Sequence, residues 1–369
     1  MPDDDSAQGR RGEGLTASTL SARLSHIATL KGVRALAWDR DQLYASRGYR
    51  VLRARITGDE LTWEEVGAFS PSAWRSISST FRLTSRLTRE GFHSLVAARG
   101  SLVAAAAGNI VRIASGESQF TITHKVRRGT RPLHFAVTPS GTIYWGEYFR
   151  NTSRDEVHIY GSSDEGKSWH VAHTFEKGAV RHIHNIVYDR WQSCLWILTG
   201  DVGDECRIIR ASTDLKTTET VLQGNQQARA VALVPSSDGI RFSSDTPFEQ
   251  NFIYHLDRTG RLTRLTPISN SSIYGCSVGS AVFFSAMVEP SRVNRDKNVR
   301  VFACFDGSEW SGVLAWQKDF WHKLLFQYGN AFLPDGPNLT DVLAVSTTAV
   351  RSADLTTTLW RVHDQHDAS

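Results

Sequence analysis

The sequence predicts an all-β chain folded as a single β-propeller of seven blades, and three observations lead there. Short apolar runs broken by Gly, Asn, Asp and Ser dominate, while helix-period stretches are few. Turns of related composition recur at Ser115, Ser162, Ser212, Asp257, Asp306 and Ser352, about 45–50 residues apart, the length of a four-stranded blade. A second pattern runs in phase with the first: an apolar strand, a turn, another apolar strand, then a polar or acidic residue. Propellers run long as single units, so 369 residues need only one domain.

In chain order, residues 1–20 read as a disordered tail, 21–362 as the propeller and 363–369 as a C-terminal tail. Blades start near 31, 91, 131, 181, 228, 273 and 325. Six blades is the competing count, because the first two units and the last are the least regular. The strand at 27–30 is placed in the last blade, where it closes the ring and removes an exposed sheet edge. Thr57-Gly58-Asp59, followed by Trp63, is a degraded copy of the recurring turn. Segment 70–90 fits no blade. Its Arg75, Arg82, Arg86 and Arg89 suggest a basic helical or loop insertion with a solvated charged face.

The net charge of +4 is small, so neither nucleic acid nor anionic lipid is implied as a partner. No run of about 18 apolar residues exists to form a membrane helix. The start, Met1-Pro2-Asp3-Asp4-Asp5, lacks the apolar region of a secretory signal. Cys194, Cys206, Cys276 and Cys304 show no CxxC spacing, which argues against a zinc site and for free buried thiols. A reduced, cytoplasmic protein is expected. The oligomeric state is left open.

The run Ser162-Ser163-Asp164-Glu165-Gly166-Lys167-Ser168-Trp169 has a mechanical reading. The Ser162 hydroxyl and Asp164 carboxylate hydrogen-bond the turn's own backbone, Gly166 accepts a positive φ, and Trp169 folds back as an apolar cap. This S-x-D-x-G-x-x-W pattern resembles the Asp-box (BNR repeat) of sialidase-like propellers. The resemblance implies a rim turn without chemistry, so Ser162, Asp164, Gly166 and Trp169 are structural residues. It also implies a sialidase-like propeller. Catalytic sialidases typically add an F/Y-R-I-P motif, an arginine triad and a Tyr–Glu pair. Here Phe81-Arg82-Leu83-Thr84 lacks the proline, and Glu147-Tyr148 are chain neighbours.

Candidate chemistry sits at the channel mouth. The repeat register places Glu147, Asp201 and Asp245 at equivalent ends of three consecutive inner strands, with Glu289 following a fourth. His134, His184 and Arg229 lead the same units, while Tyr148, His182, Glu249 and Asn251 lie just beyond. Clustered carboxylates beside His, Tyr and Arg suit acid–base work on a sugar: one carboxyl protonates a leaving oxygen and one activates water or attacks. Crowding raises at least one pKa and supplies the acid. Arg229 would clamp an anionic group. The expectation is a carbohydrate-active enzyme, a glycoside hydrolase with Glu147, Asp201 and Asp245 as catalytic residues. His134, Tyr148, His182, His184, Arg229, Glu249, Asn251 and Glu289 would bind substrate.

Two alternatives stand beside it. One is a polysaccharide lyase-like propeller acting on uronates, in which His and Tyr abstract a proton and Arg or a metal neutralises the carboxylate. The other is a non-catalytic glycan- or protein-binding scaffold, because inner-strand polar residues often only bond neighbouring blades. No cofactor is expected. A divalent metal held by Asp201, Asp204, Glu205 and His184 is kept as an alternative, although the spacing has no specific signature.

Overall fold

The structure is a computed structural model and describes residues 23–57, 60–80, 82–307, 309–321 and 326–363. The expected tail at 1–20, nearly all of the tail at 363–369, Gly58, Asp59 and Phe81 lie outside the described residues.

Seven four-stranded antiparallel sheets form the propeller, six of them running in sequence order from the channel outward. Their strands fall within 34–68, 92–125, 136–175, 183–223, 230–267 and 272–317 for blades 1 to 6. Blade 7 takes three strands from 330–362, and its outermost strand is Leu24–Lys31 from the start of the chain. That strand pairs in register from Leu24 opposite Val362 to Lys31 opposite Thr356, so the ring closes. Blade 1 is tied to blade 7 through Ala35 N–H to Ser346 Oγ at 2.8 Å and Thr357 Oγ1 to Val33 O at 2.6 Å. Among the described residues, no helix is long and apolar enough to cross a membrane.

Burial follows the position of a strand within its blade. Second strands such as Cys194–Thr199, Ala281–Ala286 and Val342–Thr348 are buried at every position. Both of their faces pack on adjacent blades, and their sequences are near-continuous apolar runs. Outer strands such as Thr218–Gln223 show polar residues to solvent. The core is therefore a series of layers between blades: Tyr144, Ile159, Ile186 and Ile197 join blades 3 and 4, while Phe283, Val301, Leu343 and Val345 join blades 6 and 7.

The turn at 162–169 is built as its residues suggest. Ser162 Oγ donates to Asp164 Oδ1 at 2.7 Å and accepts the Gly166 N–H at 2.9 Å. Asp164 also accepts Ser168 N–H at 3.0 Å and Ser168 Oγ at 2.6 Å. Gly166 sits at φ +82°. Trp169 packs edge-on against Trp145, which stacks on Tyr160. Burial alone would raise the Asp164 pKa, but the bonds from Ser168 and Ser162 outweigh it and hold it at about 2. The stability it contributes is present above the ordinary aspartate value of about 4 and is lost as pH falls toward about 2. Asp164→Ala is expected to cost about 1 kcal/mol, given partial solvent screening, with a deficit that shrinks below pH 4 in urea melts. A variant deficit independent of pH would contradict this.

Residues 70–90 contain two short helices, Ala73–Thr80 (α1) and Arg82–Thr88 (α2). The expected solvated face is corrected at Arg86. That guanidinium is fully buried between Asp319 at 2.6 Å and Asp354 at 3.3 Å, and it donates to Phe326 O at 2.5 Å. Asp319, just after blade 6, and Asp354 in blade 7 are carboxylates that water does not reach, so the cation is drawn inward. Arg75 instead pairs with Glu90 at 3.2 Å, and Arg89 is exposed.

Candidate functional site

In five blades the innermost strand carries a register shift at its first residues: Ala35/Ala37, Phe92/Ser94, Ile183/Asn185, Ala230/Ala232 and Ser272/Tyr274. A bulge leaves one residue unpaired and re-aims its side chain. Four of the skipped residues, His93, His184, Val231 and Ile273, line one cavity of about 1260 Å³ at the channel mouth. Antiparallel pairing returns each second strand to the same mouth, so Asp201, Asp245 and Glu289 reach that wall as well. The carboxylates thus follow second strands rather than innermost ones, which corrects the expected register. Gly200 makes the reversal before Asp201 possible: its φ is +79°, and a Cβ there would lie 1.8 Å from Glu205 O.

Of the expected residues, His134, Tyr148, His184, Asp201, Arg229, Asp245 and Glu289 line this cavity. Glu147 does not. Its carboxylate takes Arg128 Nε at 2.8 Å, a second contact from Arg128 Nη2, and the His158 N–H at 2.9 Å, so its lone pairs are largely used. Asn251 is also set apart from the cavity wall. It accepts from Ser244 Oγ at 3.0 Å and Thr246 N–H at 2.8 Å, and it donates to Thr246 O at 2.8 Å and Asn294 Oδ1 at 2.9 Å. It braces a loop. Glu249 is exposed outside the wall, and His182 lies behind His184.

Asp201 is ringed by cationic and imidazole groups: Arg181 at 3.1 Å, Arg229 at 3.3 Å, and His182 and His184 at 3.5 Å each. Burial by itself would raise its pKa, but the two imidazoles that face it outweigh that and hold it far below the usual carboxylate range. The groups crowding Asp201 are thus arginines and imidazoles rather than the carboxylates that were expected to raise its pKa. Arg229 bridges Asp201 to Asp245 Oδ2 at 3.5 Å, so its charge is already matched. Tyr148 stands among these groups. Burial, then the charges of Asp201, Asp245 and Glu289, push its phenol up to about 12, against the opposing pull of Arg229. Burial and Glu289, which it hydrogen-bonds, likewise raise the pKa of Tyr328 on the cavity wall.

The unmatched positive charge lies elsewhere, on Arg34 and Arg131, which the sequence reading did not single out. Among the described residues neither forms an ion pair with a carboxylate. Arg34 donates to His93 O at 3.1 Å and lies 3.9 Å over the Phe332 ring. Arg131 Nη1 faces His93 Nε2 at 3.5 Å. Burial and then Arg34 push the Arg131 guanidinium down to about 10. Burial and then Arg131, Arg34 and Arg89 drive the His93 pKa well below its usual value, so that ring is neutral. A usable signal was present: Arg34 and His93 occupy the same leading position as His184 and Arg229 in the repeat. A smaller cleft of about 430 Å³ between blades 1 and 2 is bordered by Arg53 and Glu64, which pair with each other.

No protein-family profile and no curated protein matches the chain. Solved structures do match. A chain of the mitotic checkpoint complex aligns with TM-score 0.55 at 10% identity, covering 98% of this chain and 100% of that one. The WD40 β-propeller domain of Doa1 aligns with TM-score 0.53 at 11% identity, covering 94% and 99%. The extracellular domain of BT4673 from B. thetaiotaomicron aligns with TM-score 0.56 at 9% identity, covering 93% of this chain and 40% of that one. Likeness at this identity shows the fold alone. The class is a seven-bladed β-propeller, with a mixed-charge cavity at one mouth of its channel.

Proposed function

We propose that the protein is a carbohydrate-active enzyme, a glycoside hydrolase whose substrate carries a carboxylate. The observation behind this is the division of the cavity wall. Arg34 and Arg131 present unmatched cations, while Asp245 and Glu289 present carboxylates beside Tyr148 and Tyr328. An acidic sugar would place its anion on the arginines. Its glycosidic bond would then lie toward the carboxylates, where one acid and one base or nucleophile are needed. Asp201 would act as a fixed negative charge that orients Arg229 and the histidines. Glu289 and Tyr328, hydrogen-bonded from different blades, support the sialidase resemblance better than the chain neighbours Glu147 and Tyr148.

The lyase reading is favoured by one specific feature, the His182–His184 pair beside Tyr148, whose ring centroids lie 4.4 and 6.2 Å from the two imidazoles. A panel of sialosides, glucuronides and neutral glycosides separates the readings. Hydrolysis of an acidic member, lost in both Asp245→Asn and Glu289→Gln, is the expected result. Ultraviolet absorbance from an unsaturated product would replace it with the lyase. Binding without turnover would leave the scaffold.

A further inference from the structure

We propose that His182 Nε2, His184 Nε2 and Asp201 Oδ1 form a binding site for a divalent transition-metal ion such as Zn²⁺ or Mn²⁺. The observation is the direction of the ring hydrogens. His182 Nδ1 lies 3.2 Å from Phe149 O, and His184 Nδ1 lies 2.9 Å from Ala230 O. A carbonyl oxygen only accepts, so both Nδ1 atoms carry hydrogen, and the tautomer this fixes leaves Nε2 of each ring as the lone-pair nitrogen. Those lone pairs face each other at 3.0 Å, and both rings are more than nine-tenths buried. Two buried acceptors at that distance repel unless a proton or a cation lies between them.

Asp201 Oδ1 completes a triangle, 3.5 Å from each Nε2. With sides of 3.0, 3.5 and 3.5 Å, a point about 2.1 Å from all three atoms exists, roughly 0.8 Å out of their plane. That is the usual metal–nitrogen distance, and edges of this length belong to tetrahedral or octahedral coordination. Imidazole ligands whose other nitrogen is held by a backbone carbonyl are the usual supporting arrangement around a metal. Two nitrogens and one carboxylate select a first-row transition ion over Ca²⁺ or Mg²⁺, which prefer all-oxygen sites. Arg229 shares Oδ1 at 3.3 Å and would shift toward Asp245 as the ion enters. His184 and Asp201 line the cavity, so the remaining coordination positions would open onto it, where a sugar carboxylate or hydroxyl could bind.

The sequence had offered Asp204 and Glu205 beside Asp201 and His184, without a specific spacing signature. Glu205 is taken up by Arg154 at 2.8 Å, and His182 replaces both residues.

The test is direct binding, independent of any catalytic reading. Wild-type protein, stripped with a chelator and titrated with Zn²⁺ or Mn²⁺ by calorimetry, is expected to bind one equivalent. His184→Ala and Asp201→Asn should each weaken binding at least about 100-fold, since losing even an outer partner of a ligand costs 10–100-fold. Should a variant fail to fold, Cu²⁺-loaded wild type should still show electron-spin coupling to two imidazole nitrogens. No saturable binding by wild type, equal affinity in folded variants, or absence of the two-nitrogen coupling would each overturn the site. A glycosidase active without metal would leave this binding result standing, and metal binding without glycosidase activity would sink only the hydrolase.

Discussion

Arg86→Leu is expected to lower stability by about 3 kcal/mol, at the lower end of the range for breaking a buried ion pair. The guanidinium is fully buried against Asp319 and Asp354, and leucine would leave those carboxylates without it. The loss is moderated because Lys318 still pairs with Asp319, and the Ala349 N–H still donates to Asp354 at 2.6 Å. Burial would raise the Asp319 pKa, but Lys318 and Arg86 outweigh it and lower it. The wild-type contribution is therefore present above about pH 4 and fades as pH falls through the depressed value. Urea melts should show a large deficit at pH 7 that narrows in acid. Adding Asp319→Asn and Asp354→Asn to Arg86→Leu should recover part of the loss, because the stranded charges go with their partner. A deficit under 1 kcal/mol for the single variant would show that α2 is not anchored through this cluster.

Arg131→Ala is expected to have the opposite profile. Binding of sialic acid or glucuronate should fall about 10–100-fold, the value of a lost hydrogen bond between charged groups, roughly 1.5–3 kcal/mol. Thermal stability should hold or rise, since Arg131 is a partly desolvated cation beside Arg34 whose pKa is pushed down to about 10. A group that the fold tolerates at a cost, facing a cavity, is the signature of a site kept for a ligand. Calorimetry with each sugar and a thermal melt decide it. Unchanged affinity removes Arg131 from the anion site, while a melting point several degrees lower would make its role structural.

The fold was largely legible. Buried second strands such as Cys194–Thr199 are apolar because both faces are packed, and their recurrence points to seven blades, with six as the competitor, without any knowledge of contacts. The mouth was legible as well, since the repeat brings Asp201, Asp245, His184 and Arg229 to equivalent positions, all on one wall. The strand bulges were not legible, because strict alternation conceals a skipped residue, and those bulges aim His93 and His184 inward. Glu147 shows the same limit in reverse: its repeat position matches that of Asp201, but Arg128 claims its carboxylate.

By itself, then, the sequence favoured seven blades over six and determined their approximate starts, the turn at 162–169 and the mouth where ionisable groups gather. These follow from hydrophobic period and local hydrogen bonding, which act over a few residues. Tertiary structure alone decided which charges are matched. Arg86 meets Asp319 and Asp354 more than 230 positions away, Arg34 and Arg131 converge on His93, and His182 and His184 bring their Nε2 atoms to Asp201. Charge matching depends on distance and desolvation between groups from different blades, and neither is set until the ring has closed.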